Sequence, residues 1–392
     1  MNKQSFKQLK NLIEHLPKSK ILAGESVSNG RYRFYLSGKK LGRINVAISN
    51  QDAIIMGDGG VANIAFAKGK YSYSSHNFGF FSNSKHINTK YIYRAIEQFL
   101  PVIDYMGFVG SGLKNIDKSF LFNLYIQIPS LPEQKKISSI LNSVDEVIEK
   151  TQSQINKLQD LKKGMINKLL TKGIGHIEFK DSELGRIPKS WKITELSKVS
   201  KILSSNVDKK TIKNETPVLL CNYMDVYNNL KITREINFMK ASAKKNEMNK
   251  FLIEKDDVII TKDSETPDDI AISSYVTEDF DNVLCGYHLS IIRSNKSVLD
   301  GKFLSLFFKL DYTRNRFSVL ANGTTRFGLN LKEIENSKIL LPSLEEQKNI
   351  ANIIFSLDDT ISTITKKFNK YIFLKTSLMQ DLLVGKVRVS VN

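Results

Sequence analysis

The chain repeats itself, and the repeat constrains its fold more than any other feature. Ile128-Pro129-Ser130-Leu131-Pro132-Glu133-Gln134-Lys135-Lys136-Ile137 returns as Leu341-Pro342-Ser343-Leu344-Glu345-Glu346-Gln347-Lys348-Asn349-Ile350, an offset of 213 residues as measured from Pro129 to Pro342. The same offset carries, without a gap, Gly110 onto Gly323, Asn123 onto Asn336, Ile140 onto Ile353, Ser143 onto Ser356, Asp145 onto Asp358, Ile148 onto Ile361, Leu161 onto Leu374 and Leu169 onto Leu382. Self-similarity of this kind has to be recognised before any element is assigned, because missing it mistakes the architecture. The 392 residues are therefore two copies of one unit, each a globular segment followed by a long helix.

Each helix announces its start. Ser130-x-x-Glu133 and Ser343-x-x-Glu346 read as capping boxes, the serine hydroxyl accepting from an orphan N–H and the glutamate reaching back. Pro132 suits the first turn, where its missing N–H costs nothing. Apolar residues then recur in alternating steps of about three and four. In the first copy they are Ile137, Leu141, Val144, Ile148, Ile155, Leu158, Leu161, Met165 and Leu169. In the second they are Ile350, Ile354, Leu357, Ile361, Ile364, Phe368, Tyr371, Leu374, Leu378 and Leu382. A helix of roughly 40 residues is about 60 Å long, and one apolar stripe along it needs a partner stripe. The expected partner is the other copy: Ile137, Leu141, Val144, Ile148, Ile155 and Leu158 form a seam with Ile350, Ile354, Leu357, Ile361, Ile364 and Phe368. The alternative is that each helix packs on its own globular segment. An antiparallel pair predicts globular units at opposite ends of a rod that acts as a ruler.

Within the globular segments the period changes. Asp52–Met56, Asp257–Thr261, Val218–Tyr223 and Val283–Ile292 read as short strands separated by polar or glycine-rich stretches. Short helices are expected over Thr89–Phe99 and Asp300–Arg316, and Gly173-Ile174-Gly175-His176 reads as a hinge whose counterpart after Leu383 simply ends the chain. The predicted class is α+β: two mixed α/β domains over 1–128 and 173–341, and two long antiparallel coiled-coil helices over 129–172 and 342–392, related by a pseudo-twofold repeat.

Charge narrows the function. Lys and Arg number 58 against 40 Asp and Glu, a net charge of +18, with a pI near 9.5. Such an excess points to a polyanionic partner, nucleic acid or a membrane surface, unless it only reflects a lysine-rich genome. The polar start Met1–Gln8 has no apolar core of a secretory signal. Apolar runs such as Phe303–Phe308 are far short of the roughly 18 residues that suggest a spanning helix. Cys221 and Cys285 stand far apart with no metal-type spacing, which fits a reduced cytoplasmic setting. Nucleic acid is thus the expected partner, and no membrane.

The catalytic motifs fail in turn. Gly57-Asp58-Gly59-Gly60 lacks the Gly-Lys-Ser/Thr of a phosphate loop and reads as a turn. Glu133-Gln134-Lys135 and Glu346-Gln347-Lys348 have the spacing of a metal-dependent nuclease, but both sit in a helical first turn. His15, His76, His86, His176 and His288 have no partner acid or cysteine at ligand spacing, so no metal site and no catalytic residue is assigned. Pro267-Asp268-Asp269 with Glu254, Asp256 and Asp257 reads as solvated acidic turns. Binding residues are better represented. In the first unit the candidates for DNA contact are Arg31, Arg33, Lys39, Lys40, Arg43, Lys68, Lys70, Ser74, His76 and Asn77. In the second they are Lys209, Lys210, Lys244, Lys245, Arg314, Arg316, Thr324, Thr325, Arg326 and Phe327. Lysines attract phosphates regardless of sequence, whereas Arg, Asn, Ser and Thr can read base edges. Any single pair could equally be a solvated face.

These residues resemble the specificity (S) subunit of type I restriction–modification systems. The resemblance rests on the doubled Pro-Ser-Leu-x-Glu-Gln helix start, on Asp181-Ser182-Glu183-Leu184-Gly185-Arg186-Ile187-Pro188-Lys189-Ser190-Trp191, which looks like the opening of a recognition domain, and on Asn322-Gly323-Thr324-Thr325-Arg326-Phe327-Gly328-Leu329-Asn330. It covers essentially the whole chain. It implies a non-catalytic DNA-recognition subunit whose two target-recognition domains read the halves of a split, asymmetric duplex target while the helices set the spacing. It also implies two modification (methyltransferase) subunits carrying S-adenosylmethionine, and two restriction subunits using ATP and Mg2+, with no cofactor bound by this chain. The first unit departs from the pattern: it is some 40 residues shorter, has no copy of Gly185–Trp191, and replaces Gly323–Phe327 with Gly110-Ser111-Gly112-Leu113-Lys114, losing the arginine. The two domains are therefore expected to read different half-sites.

Overall fold

The computed structural model describes residues 5–390; residues 1–4, part of the polar start noted above, and 391–392 lie outside them. Two helices dominate, Leu131–Lys172 with 42 residues and Leu344–Leu383 with 40. The chain forms two compact units, Met1–Gln154 with Ile364–Asn392, and Ile155–Thr363. Each unit takes in one globular segment and a stretch of both long helices.

In the first unit an antiparallel sheet runs in the order Ile13–His15, Asn77–Ser82, Ala53–Gly57, Ile64–Ala67. Ala53–Gly57 is buried throughout, which explains its unbroken apolar sequence. The helix Thr89–Val102 starts where the Asn88 side chain accepts from the Tyr91 N–H. It lends Tyr91, Ile92, Ala95 and Ile96 to a core that holds Ile54, Met56 and Phe80. A smaller sheet pairs Tyr32–Tyr35 antiparallel with Leu41–Ile44 and parallel with Tyr71–Tyr73.

The second unit has a five-stranded sheet in the order Ser200–Ser204, Leu289–Ser294, Val258–Thr261, Ser273–Val276, Lys231–Ile232. A three-stranded sheet joins Met239–Ala243, Thr216–Cys221 and Val283–Cys285. Some predicted elements are subdivided. The Val283–Ile292 run is two strands broken at Gly286–His288, and Tyr223 opens a short helix instead of ending a strand. The expected helix over Asp300–Arg316 is two, Gly301–Phe307 and Asp311–Leu320. Phe308 and Leu310, at the break, are both buried in the core.

The doubled motif is a joint. Gln134 and Gln347 are fully buried. Gln134 Nε2 donates to the carbonyls of Pro129 and His86, while its Oε1 accepts from the Asn88 N–H. Gln347 repeats this with Pro342, Val298 and Asp300. Each glutamine thus ties the start of a long helix to the start of the short helix of its own unit. The glutamates do not reach back as capping boxes do. Ser343 accepts from the Glu346 N–H, but the Glu346 carboxylate takes the Ile174 N–H, His176 and the Trp191 indole N–H. Glu133 takes Arg388 through two bonds of 2.7 and 2.6 Å and also the Val389 N–H. Each carboxylate therefore holds the segment that follows the other long helix. Gly173–His176 is consequently pinned, not a hinge, and the counterpart after Leu383 docks in the same manner instead of merely ending.

Long-helix packing is antiparallel within each unit. Ile137 and Leu141 share a core with Leu378, Met379, Leu382 and Leu383. Ile166 and Leu170 share another with Ile350, Ala351, Ile354 and Phe355. Between these ends Ile155 and Ile361 are buried, and Val144, Ile148, Leu158, Leu357, Ile364 and Phe368 are partly so. Two predicted stripe members fall outside: Leu161 and Leu374 are half exposed. Lysines replace them one residue on. Lys162 pairs with Asp358, and Lys375 bridges Asp145 at 2.8 Å and Glu97 at 2.9 Å. The lysines and the aspartates are each related by the 213-residue offset, so the repeat has written the same ion pair twice.

Candidate nucleic-acid interface

In the first unit the candidates gather on the Tyr32–Ile44 hairpin. Arg33 and Arg43 face each other in register, both exposed. Like charges directly opposite on paired strands repel, and an external anion relieves that repulsion. Lys39 and Lys40 stand exposed in the connecting turn, and the Arg31 guanidinium lies 5.4 Å from the Tyr32 ring centroid. Lys68 and Lys70 flank Gly69, whose φ of +73° makes the turn that carries the chain from Ile64–Ala67 to Tyr71–Tyr73 in the other sheet. Two candidates are structural instead. Ser74 and Asn77 are buried, and the Asn77 amide donates to Ser74 Oγ and to the Tyr35 carbonyl. Folding has turned their hydrogen-bonding groups inward.

Each unit stitches a glycine loop onto the end of its central strand by the same bonds. In the first, the Asp58 N–H donates to the His76 carbonyl and the Asp58 carbonyl accepts from Ile116; in the second, Lys262 makes both bonds, with His288 and Leu329. Gly110 and Gly323 open the loops at φ +141° and +147°, a conformation that side-chain-bearing residues rarely adopt. His76 and His288 therefore occupy the same place in the two units. Each has a carboxylate beside it: Asp58 lies 3.9 Å from His76, and His288 Nδ1 bonds to Asp263, which follows Lys262 and opens a separate short strand.

A cleft opens at each place. The first, of about 710 Å3, is lined by Lys39, Asp58, Asn63, His76, Leu113 and Asn115 among others, and Arg33, Lys39 and Lys40 line its neighbour. The second, of about 580 Å3, is lined by Lys209, Tyr223, Tyr227, Asp263, Tyr287, His288 and Arg326 among others. Its walls are aromatic: Tyr223 stacks on Tyr227 with ring centroids 5.7 Å apart, and Lys209 sits 5.6 Å from the Tyr287 ring centroid. Arg326 donates from Nε and Nη2 to Asp263 at 3.1 and 2.7 Å. Burial, reinforced by the nearby Arg326 and Lys209 charges, holds His288 below its usual pKa despite Asp263. Clefts with cationic rims, aromatic walls and hydrogen-bonding floors can accept phosphates and base edges together.

The other candidates of the second unit are dispersed. Thr324 and Thr325 are exposed on the glycine loop, whereas Phe327 packs against the core and anchors that loop. Lys210 is exposed beside Asp208, and Lys244 and Lys245 are exposed at the start of a short helix without lining the cleft. Arg314 is not available: it donates to the carbonyls of Asp268 and Ile270, holding a turn, and burial lowers its pKa. Arg316 is half-buried. Asp58, Asp263 and His288 were not singled out as contacts. The signal was available as a faint repeat, an aspartate just after one apolar strand and a histidine just before its antiparallel partner, but the connecting segments differ in length and hide it.

Folding also supplies partners that spacing did not reveal. His76, His176 and His288 each stand beside a carboxylate. The acidic cluster divides: Asp257 is buried against Arg293 at 2.8 and 2.7 Å, so it is no solvated turn. Cys221 and Cys285 are register partners on adjacent parallel strands, free and buried, and burial pushes both thiols up. Among the described residues, no group of three or more His, Cys, Asp or Glu side chains could hold a metal ion, and no helix is long and apolar enough to cross a membrane.

Comparison with known proteins shows the family. A family described as the type I restriction modification DNA specificity domain matches residues 2–160 and 188–372. A putative type I restriction enzyme MjaX specificity subunit from Methanocaldococcus jannaschii is 30% identical over 84% of this chain and 76% of its own length. The MjaVIII specificity subunit of the same organism is 29% identical over 89% and 82%. Among solved structures, a type I restriction–modification system S subunit from M. genitalium superposes with a TM-score of 0.64 at 16% identity, covering 98% of this chain and 97% of the other.

Proposed function

The chain belongs to the type I restriction–modification DNA specificity family, as a specificity subunit, and from that premise we propose that its two units each read one part of a split duplex target. The observation that carries this reading is the pair of clefts at the same place in both units, one lined by Lys39 and adjoining a pocket lined by Arg33 and Lys40, the other lined by Lys209 and Arg326. Different residues on a common frame suit a target whose halves differ in sequence. The exposed cations supply the phosphate attraction that positions the protein. The long helices set the separation of the half-sites and dock two modification subunits, with two restriction subunits completing the assembly.

Covalent chemistry belongs to those partners. S-adenosylmethionine enters with the modification subunits, and ATP and Mg2+ with the restriction subunits. The chain works in the cytoplasm, where the DNA is. Sequencing for methylated motifs in cells with and without this gene tests the reading: a bipartite motif that vanishes with the gene is expected. Methylation or binding by the assembled complex that ignores sequence would reduce the chain to a basic scaffold.

A further inference from the structure

The cleft of the second unit holds more than an exposed arginine. Arg326 spends Nε and Nη2 on Asp263, and Nη2 also lies 2.8 Å from His288 Nδ1 and 3.1 Å from Nε2. A guanidinium has only donors. Nδ1 faces the Asp263 carboxylate, which only accepts, and so carries the hydrogen. With Nδ1 at 2.8 Å and Nε2 at 3.1 Å, Nη2 rests against the face of the imidazole and not at its in-plane lone pair, which leaves the Nη1–Nη2 edge of the fork for a base. His288 is buried and Asp263 largely so, while the Arg326 side chain is 54% exposed and lines the cleft. The result is a buried two-residue cradle that grips one edge of an exposed fork. The Nη1 hydrogens have no partner among the described residues.

We infer that Asp263 and His288 are positioning residues that orient the Arg326 guanidinium to read a guanine in the half-site of the second unit. Arginine forks match guanine O6 and N7, and discrimination depends on holding the fork in one orientation, which a flexible side chain on a glycine loop does not achieve alone. The repeat points the same way. His76 stands at the position of His288 with Asp58 beside it, but the first unit has Leu113 and Lys114 where an arginine would project. There the carboxylate remains free to accept an amino hydrogen from cytosine or adenine. The histidine place thus has a carboxylate beside it in both units, supplied from adjacent positions of the two units' equivalent segments, with the histidine exposed in the first and buried in the second.

The inference rests on the proposal that Arg326 faces a base, and the experiment separates the two. Methylation motifs are sequenced for complexes carrying Arg326→Ala, Asp263→Asn, His288→Gln or Asp58→Asn. Arg326→Ala is expected to relax one position of one half-site; if the motif stays whole, Arg326 reads no base and the underlying proposal falls. Asp263→Asn and His288→Gln are expected to lower discrimination about tenfold at that same position, leaving the other half-site intact as proof of assembly. If both retain full selectivity where Arg326→Ala loses it, the cradle does not position the fork. Asp58→Asn is expected to change the other half-site only, and a change in the Arg326 half-site instead would overturn the equivalence of the two floors. Loss spread equally over all sequences would make these residues phosphate or folding contacts.

Discussion

At the scale of single residues, charge is placed where it costs the free chain something. Arg33 faces Arg43 across paired strands. Arg33→Ala should therefore stabilise the isolated chain by a few tenths of a kcal/mol, about the size of a cross-strand pair term. The same change should weaken DNA binding and reduce the slope of log K against log salt by about 0.9, the value of one phosphate contact. A salt titration of the assembled complex and a urea melt of the chain check the two signs. Lys309 is a second case. Burial, with the nearby Lys162 and Arg314 charges, lowers its pKa to about 8, only partly opposed by Asp358. Its ammonium donates to the Ser273 carbonyl at 3.2 Å. Between pH 8 and the ordinary lysine value of about 10.5 the unfolded chain holds the extra proton, so stability should rise with pH across that window. Lys309→Met should lack this rise, which urea midpoints measured at pH 7.5, 9 and 10.5 would detect.

At the scale of elements, the long helices are tied together by polar pairs as much as by their apolar stripe. Lys162–Asp358 and Lys375–Asp145 occupy the positions that the heptad spacing offers to apolar residues, and all four side chains are mostly buried. Removing one member of such a pair leaves an uncompensated charge. Lys162→Leu should therefore cost more than the surface-pair value, about 2–3 kcal/mol. Lys162→Asp combined with Asp358→Lys should recover most of the loss of either change alone. Chemical denaturation of the four variants gives the coupling directly, and additive losses would mean that the pair contributes no register. In the first unit the buried Arg94 adds a further cation, bonded to Glu97 at 2.6 Å and Asp145 at 2.5 Å. Two carboxylates thereby face two cations, Arg94 and Lys375.

At the scale of the whole molecule, each long helix belongs in part to both compact units, since the division falls within the helices at Gln154 and Thr363. An insertion in either helix is therefore a direct test of the proposed spacing role. Four residues added near Lys157 would interrupt the heptad phase, a stutter that locally unwinds a coiled pair, and would carry Lys162 away from Asp358. The recognised gap between half-sites should lengthen, or binding should vanish. An unchanged methylation motif in such a variant would show that the helices do not measure the target. Assembly with the proposed modification subunit is the natural control for such a variant.

The 213-residue repeat, the two long helices and their apolar stripe, and the basic character of both globular segments were all legible in the amino-acid order. Each is periodic or local, and local hydrogen bonding and side-chain period are what a linear string records. Tertiary structure alone decided the polar joints. Glu133 meets Arg388, Glu346 meets His176 and Trp191, and Asp263 meets His288 and Arg326 across separations that follow no period. It also turned Ser74, Asn77 and Arg314 inward, because a serine, an asparagine or an arginine reads alike in sequence whether its donors find solvent or a backbone carbonyl.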